Sequence, residues 1–393
     1  MKVVMGTDSL HSPLTGVGRY TFELCKRLLT SQDISELSGF DFGRFHSLAD
    51  RLKEIEQEST PENDASVNSR LFNLRTSLSR SRIATRLYQH YATTVCGLLL
   101  QRKSDALFHS PNFHLPRYTG KSVVTIHDLS YLLFPDYHPR ARVEWMSKLV
   151  PVAVRSSSHV LCVSESTKAD LVENFHLDPE KVSVSYLGAG DEFKVRSVES
   201  ISRVLDSCGL TCSQYFLCVS TIEPRKNIEA LISAYMRMSK ATRMRFPLVL
   251  AGGFGWHCDQ LKLRIEGLHN EGIKHLGFVS QDVLPFLYNG ARCLVYPSFY
   301  EGFGLPVLEA QASGTPVIAS KTSSIPEVAS AKALLINPDN NDELLQAMNR
   351  AIEDEEWLAS CSKTGLDKAA GFSWDNCAEV TISVYKQVEQ LGK

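Results

Sequence analysis

Much that would announce a function is missing from this sequence. It contains no D-x-D, the acidic pair that holds a divalent metal in many transferases, and no C-x-x-C. Ten cysteines are spread from Cys25 to Cys377, and the closest pair, Cys208 and Cys212, has no second pair to complete a zinc module. Several sit inside apolar runs (HVLCVS, YFLCVS, ARCLVY), where cysteine behaves as a small buried hydrophobe of a reducing compartment. No run approaches the roughly 18 apolar residues that a membrane-spanning helix needs. The amino-terminal MKVVMGTD meets an acid too early for a secretory leader. Basic excess is also lacking: 44 acidic residues face 42 basic ones, which argues against nucleic acid as a partner. With 43% hydrophobic and 22% charged residues in 393, disorder and fibrous architectures are excluded, and the length suggests two or three domains.

What is present is a rhythm. Short apolar runs recur at 3–5, 106–110, 122–128, 159–164 and 182–187. A second series follows at 215–220, 246–253, 274–279, 293–298, 315–320 and 333–337. They are continuous in apolar content, as parallel strands covered on both faces require. Helical patterns fall between them. In NIEALISAYMRMSK, Ile228, Leu231, Ile232, Tyr235 and Met238 share a face, with Asn227 placed to cap the helix. The alternation predicts doubly wound α/β architecture. A polar stretch at 188–214 separates the series and suggests domains at 1–190 and 191–374, with a carboxyl-terminal helical segment, 375–393, that can return to the first.

Two segments depart from this rhythm. Residues 31–70 are polar and are expected to include a mobile loop. From Arg70 to Lys103 seven basic residues occur without an acid, and Leu71, Leu74, Leu78, Ile83, Leu87 and Tyr91 recur at helical spacing. Such a segment either covers a core or meets an anionic membrane face.

In open α/β sheets ligands bind beyond the carboxyl ends of strands, and three loops there carry chemistry. After VVMGTD, Gly16 and Gly18 are expected just before a helix, where glycine lets backbone amides approach an anion. The third glycine of a dinucleotide fingerprint is replaced by Thr21, which speaks against a nicotinamide-dependent oxidoreductase. After YFLCVST, Arg225 and Lys226 pair a bidentate fork with a point charge, a combination suited to a diphosphate. After CLVYPS comes EGFGLPVLEAQASGTP. Gly302 and Gly304 open the backbone, Pro306 suits a first helical turn, and Gly314 with Pro316 ends the helix. Glu301 and Glu309 then flank a helix start whose amides could face a phosphate. Like charge bars the carboxylates from ligating that phosphate, but they can accept hydrogen bonds from sugar hydroxyls on either side of it. Ribose, diphosphate and hexose have that layout, so the loop fits a nucleotide sugar.

Together these residues resemble retaining glycosyltransferase family 4, whose GT-B fold sets two Rossmann-like domains facing one another across a cleft. The resemblance spans nearly the whole chain. It is most specific in Glu301 and Glu309 of EGFGLPVLEA, supported by TGVGRY, TIHDLS, VSESTKADL and IEPRKN. It implies that Glu301 holds donor-sugar hydroxyls and Glu309 the ribose. Amides of Phe303, Gly304 and Leu305 would face sugar and phosphates, Arg225 and Lys226 would neutralise the leaving diphosphate with Gly16 nearby, and His127 would stand beside the donor sugar. The base would lie against Gly252–Gly253 and Phe278–Val279. One departure is Thr221, where many members carry an arginine five positions before the lysine. By resemblance the donor is GDP-mannose first and GDP-rhamnose second. The acceptor is a saccharide or lipid-linked saccharide of O-antigen type, no metal or other cofactor is needed, and the enzyme works in the cytoplasm or peripherally on the inner membrane face. A non-catalytic glycan-binding relative would lack the paired glutamates or the cationic pair, and all four residues are present. On this reading Glu301→Ala abolishes transfer and leaves the fold intact.

Overall fold

The computed structural model describes residues 1–12, 14, 16–58 and 95–390. The chain forms two compact units. The first comprises Met1–Leu132, Arg140–Leu187 and Trp374–Lys393, and the second Leu133–Pro139 and Gly188–Ser373.

The first unit holds a seven-stranded sheet. In chain order its strands are β1 (Lys2–Gly6), β2 (Glu36–Asp41), β3 (Arg44–His46), β4 (Leu107–Ser110), β5 (Ser122–Ile126), β6 (His159–Cys162) and β7 (Val182–Val184). Their spatial order is β3-β2-β1-β4-β5-β6-β7. Every pairing is parallel except β2 with β3. Strands β4 and β5 are buried at every position, which is why they read as unbroken apolar runs. Val4, Phe108, Val124, Ile126, Val160 and Cys162 meet helix residues such as Val150, Val154 and Leu171 in one core.

The second unit holds six parallel strands: β8 (Phe216–Val219), β9 (Leu248–Ala251), β10 (Ile273–Gly277), β11 (Cys293–Tyr296), β12 (Val317–Ser320) and β13 (Leu334–Ile336). The order is β10-β9-β8-β11-β12-β13, with the parallel pairing continuous across the sheet. Leu231, Ile232 and Tyr235 of the helix Ile228–Met236 are fully buried in its core.

Two local expectations need correction, and two others fall partly outside the described residues. Within 31–70, strands β2 and β3 occupy Glu36–Asp41 and Arg44–His46 and Leu48–Glu58 is a helix, while 59–70 lie outside the described residues, so the loop expected in part of this stretch is not tested. Register against β1 orders a polar strand that composition alone marks as loop. The helix after β1 begins at Gly16, so Gly16 and Gly18 belong to its first turn. A Cβ at Gly18 would lie 2.8 Å from the Ser9 carbonyl oxygen, so close packing sets the need for glycine there. Asn227 occupies the cap position without capping. Its backbone is left-handed (φ 57°), and its amide donates instead to the carbonyls of Pro297 at 3.2 Å and Pro338 at 2.8 Å. Finally, the basic segment Arg70–Lys103 lies outside the described residues as far as 94. Its described end is the short helix Cys96–Leu100 followed by a turn, where Lys103 is engaged by Glu36 at 2.6 Å.

The carboxyl-terminal segment is one helix, Trp374–Gln390, belonging to the first unit. Tyr385 meets His109 Nδ1 at 2.6 Å, while Thr125 Oγ1 lies 2.8 Å from its Nε2. Ser185 donates to the Cys377 carbonyl at 3.1 Å. Burial holds the His109 ring neutral, its pKa pushed down to about 3. No described helix is long and apolar enough to cross a membrane.

Candidate active site

In the second sheet the order in which the chain adds strands reverses between β8 and β11, and ligands of open α/β sheets bind at such switch points. Two loops meet there. After β8, Pro224 sits at the start of a 3-10 turn, Pro224–Lys226, which ends at the left-handed Asn227. Arg225 and Lys226 are thereby set side by side. After β11 the chain runs through Glu301 to the helix Leu305–Ala312.

Glu301 joins the two loops. Lys226 Nζ donates to Glu301 Oε1 at 2.6 Å and to the Tyr296 hydroxyl at 3.0 Å, and that hydroxyl donates to the same Oε1 at 2.9 Å. Arg225 Nη1 donates to Glu301 Oε2 at 3.1 Å and to the Tyr300 carbonyl at 2.6 Å, while Nη2 reaches Glu223 Oε1 at 2.9 Å. Two carboxylates and two cations form one buried set; Glu301 is 7% exposed and Glu223 3%. The following strand, β12, leads into a clamp on the Glu301 loop. The Glu301 amide donates to Ser323 Oγ at 2.8 Å, and Ser324 Oγ bonds the carbonyls of Glu301 and Phe303, each at 2.9 Å.

Burial alone would raise the Glu301 pKa, but Lys226 and Arg225 outweigh it and hold the carboxyl at about 2. Lys226 is also lowered from the usual amine value, by burial and by Arg225, against the pull of Glu301. The attraction of Glu301 and Glu223 does not fully offset the desolvation of the ammonium and its repulsion by Arg225. A carboxyl depressed in the folded state stabilises the fold above its unfolded pKa of 4.5 and loses that contribution as pH falls towards about 2. The melting-temperature gap between wild type and Glu301→Gln is therefore expected to narrow as pH drops through that window. A gap constant with pH in calorimetry would refute this.

Gly304 turns the chain into the helix with φ +108°, and a Cβ there would stand 2.7 Å from Ile325 Cδ1. Leu305 follows with Pro306 in the first turn, while Phe303 is buried. Glu309, further along, accepts from the Tyr288 hydroxyl at 2.9 Å. Across β8, Gly252 has φ +142° and passes so near Ser220 that a Cβ would fall 1.9 Å from its carbonyl oxygen. Gly252→Ala is thus expected to cost about 3 kcal/mol or more, read as a large fall in the melting temperature. Its amide donates to the Gly277 carbonyl at 2.7 Å, and its carbonyl accepts from His275 Nε2 at 2.8 Å. Val279 is half-buried, beside the exposed Phe278.

His127 and Gly16 belong to the first unit. His127 follows β5, and its Nε2 donates to the Pro111 carbonyl at 2.8 Å. That bond leaves Nδ1 as the nitrogen free of a ring proton in the neutral form. The ring packs edge-on against Tyr20, centroids 5.0 Å apart, and burial lowers its pKa. Gly16 is exposed at the first position of its helix.

The structure thus gathers Arg225, Lys226 and Glu301 into one bonded cluster, and places Gly252, Val279, Phe303, Gly304, Leu305 and Glu309 in the same unit. Sequence reasoning missed Glu223, Tyr296 and Ser323–Ser324. Only Glu223 carried a local hint, as a charged residue two positions before Arg225.

The amino-terminal half, residues 14–192, matches the model of Glycosyltransferase Family 4, and residues 211–368 match that of Glycosyl transferases group 1. The chain is 36% identical to O-antigen chain mannosyltransferase B of Escherichia coli, over 98% of this chain and all of that one. It is 32% identical to the serotype-specific mannosyltransferase WbdA of Escherichia coli over 70% of its length, spanning 34% of that larger protein. Among solved structures, Anabaena HepE in complex with UDP and glucose shares the fold, with a TM-score of 0.71 at 18% identity, covering 98% of this chain and all of HepE. A buried glutamate bonded to a cationic pair, two parallel-sheet units and a relative alike over its full length converge on one conclusion: the chain belongs to the GT-B glycosyltransferases that join a Family 4 half to a group 1 half.

Proposed function

We propose that this glycosyltransferase is a retaining mannosyltransferase that takes GDP-mannose as donor, with GDP-rhamnose the second choice. It extends a saccharide or lipid-linked saccharide of bacterial O-antigen type. The observation that carries this reading is the cluster of Arg225 and Lys226 on Glu301 at the sheet's switch point. The two mannosyltransferases of Escherichia coli described above support mannose and O-antigen, and the UDP and glucose of HepE support a nucleotide-sugar site. On this reading the second unit binds the donor, and the first, which carries His127, the acceptor.

Cleavage of the donor leaves a nucleoside diphosphate, and its growing charge is the main demand on catalysis. Arg225 and Lys226 answer that demand from positions fixed before reaction, so no reorganisation is needed. Glu301 and Glu309 accept hydroxyls of the sugar and the ribose. The acceptor attacks from the leaving-group face, a donor phosphate oxygen takes its proton, and anomeric configuration is retained without a protein nucleophile. Fixed cations in place of a divalent ion imply metal independence, and work at the inner membrane face suits a lipid-linked acceptor.

Purified protein with an O-antigen-type acceptor is expected to release GDP from GDP-mannose faster than from GDP-rhamnose, and faster than it releases UDP from UDP-glucose. Activity in EDTA is expected within about twofold of that without it. No release from any GDP-sugar would refute the donor, and strict metal dependence would refute the mechanism.

A further inference from the structure

The stretch Leu133–Pro139 joins two segments of the first unit, yet its contacts assign it to the second. It lies on the residues that lead into Glu301. Phe134 stands against Tyr300 with centroids 5.5 Å apart, and Tyr137 stacks on Phe299, also at 5.5 Å. The two strap rings stack on each other at 5.8 Å, with 9° between their planes. The strap is tied down at its far end. Trp256 Nε1 donates to the Tyr137 carbonyl at 2.6 Å, and the buried His138 packs against the Trp256 ring at 5.6 Å.

Phe299 and Tyr300 in turn hold the charge cluster. The Phe299 amide donates to the Arg225 carbonyl at 3.0 Å, and the Tyr300 carbonyl accepts Arg225 Nη1 at 2.6 Å. Arg225 then bonds Glu301. A short chain of contacts therefore runs from the strap rings through Phe299–Tyr300 to the guanidinium and carboxylate. Aromatic pairs of this kind attract one another beyond the area they cover, and four rings locked together leave the 299–300 backbone little freedom.

We propose that Phe134 and Tyr137 are positioning residues for sugar transfer, holding Phe299–Tyr300 so that Arg225 and Glu301 meet the donor in fixed geometry. The proposal rests on the donor site described above, and the strap acts on it through Phe299–Tyr300. Displacements of the order of 1 Å at positioned groups cost up to roughly a hundredfold in rate.

The test uses Phe134→Ala, Tyr137→Ala and Tyr137→Phe in the full chain. Its readouts are steady-state turnover of GDP-mannose, calorimetric melting, and amide exchange over residues 299–303. Each alanine variant is expected to lose between about 10-fold and 100-fold in kcat, with KM for the donor changed far less and exchange at 299–303 accelerated. Tyr137→Phe keeps the stacked ring and is expected to restore both. Should the alanine variants fail to fold, Phe134→Leu and Tyr137→Leu keep bulk without a planar face and are expected to show the same pattern. Unchanged exchange at 299–303 would overturn the proposal, as would faster exchange with kcat within about twofold of wild type. Wild-type protein inert to every nucleotide sugar would refute the donor assignment, and the exchange measurement alone would then decide the strap's role.

Discussion

Glu301→Ala is expected to lower transfer by up to about a thousandfold, the upper end of what removal of a preorganised charge costs (~10²–10³ in kcat), and to lower the melting temperature as well. The sequence alone suggests an intact fold for this variant. The geometry argues otherwise, because Glu301 accepts from Lys226, Arg225 and Tyr296 while 7% exposed. Its removal leaves two buried cations with Glu223 as the remaining carboxylate bonded to Arg225. Breaking a buried pair from one side costs about 3–5 kcal/mol, which for a unit of this size is roughly 6–20 °C. Glu301→Gln keeps the shape and one acceptor, so it should fall between alanine and wild type in stability while remaining far slower than wild type. Calorimetry and initial rates on the three proteins decide this. An alanine variant that melts with the wild type would show that the cluster relaxes without its anion.

Lys226→Met is expected to be the second most damaging change, lowering kcat by about 10²–10³. Its ammonium is the shortest contact to Glu301 and is steered by the Tyr296 hydroxyl and ring. Lys226→Arg should not rescue it. The guanidinium is larger and planar, and it does not reproduce the compact point charge that Nζ sets between Glu301 Oε1 and the Tyr296 hydroxyl. The carboxyl of Glu301, relieved of its first cation, should titrate higher, so the activity that survives in Lys226→Met is expected to fall off at a higher pH than in wild type. An arginine variant with wild-type kcat, or an acid limb unmoved in the methionine variant, would contradict this account.

Reading Glu301 and Arg225 as separate parts, one for sugar hydroxyls and one for diphosphate, was as far as the sequence reached. Residues 225 and 301 are 76 positions apart, and no local pattern says that one will bond the other. Glu223 illustrates the same limit. It looks like a loop acid, yet it is buried and bonded to Arg225 because the turn Pro224–Lys226 folds it under. Helix starts were easier to read. Pro306 in a first turn and Gly304 at φ +108° obey rules that act within four residues. Asn227 shows where such rules fail: a residue suited to capping by type was taken for a tertiary task, bonding Pro297 and Pro338.

The expectation of cysteines as buried apolar residues is met in most of them. All ten cysteines are free thiols, eight of them buried. The sequence by itself determined the eleven apolar strands, their parallel character and the loops that follow them, because burial on both faces, complete in β4, β5, β9 and β11, leaves unbroken apolar runs. It could not determine β2 and β3, whose polar residues are ordered by register against β1. Nor could it show that Leu133–Pro139 joins the second unit, and it offered the return of the carboxyl-terminal helix to the first only as one option. Those placements depend on contacts such as Tyr137 with Phe299, and Tyr385 with His109 across 276 positions. Side chains so distant along the chain share no periodicity, and only folding brings them together.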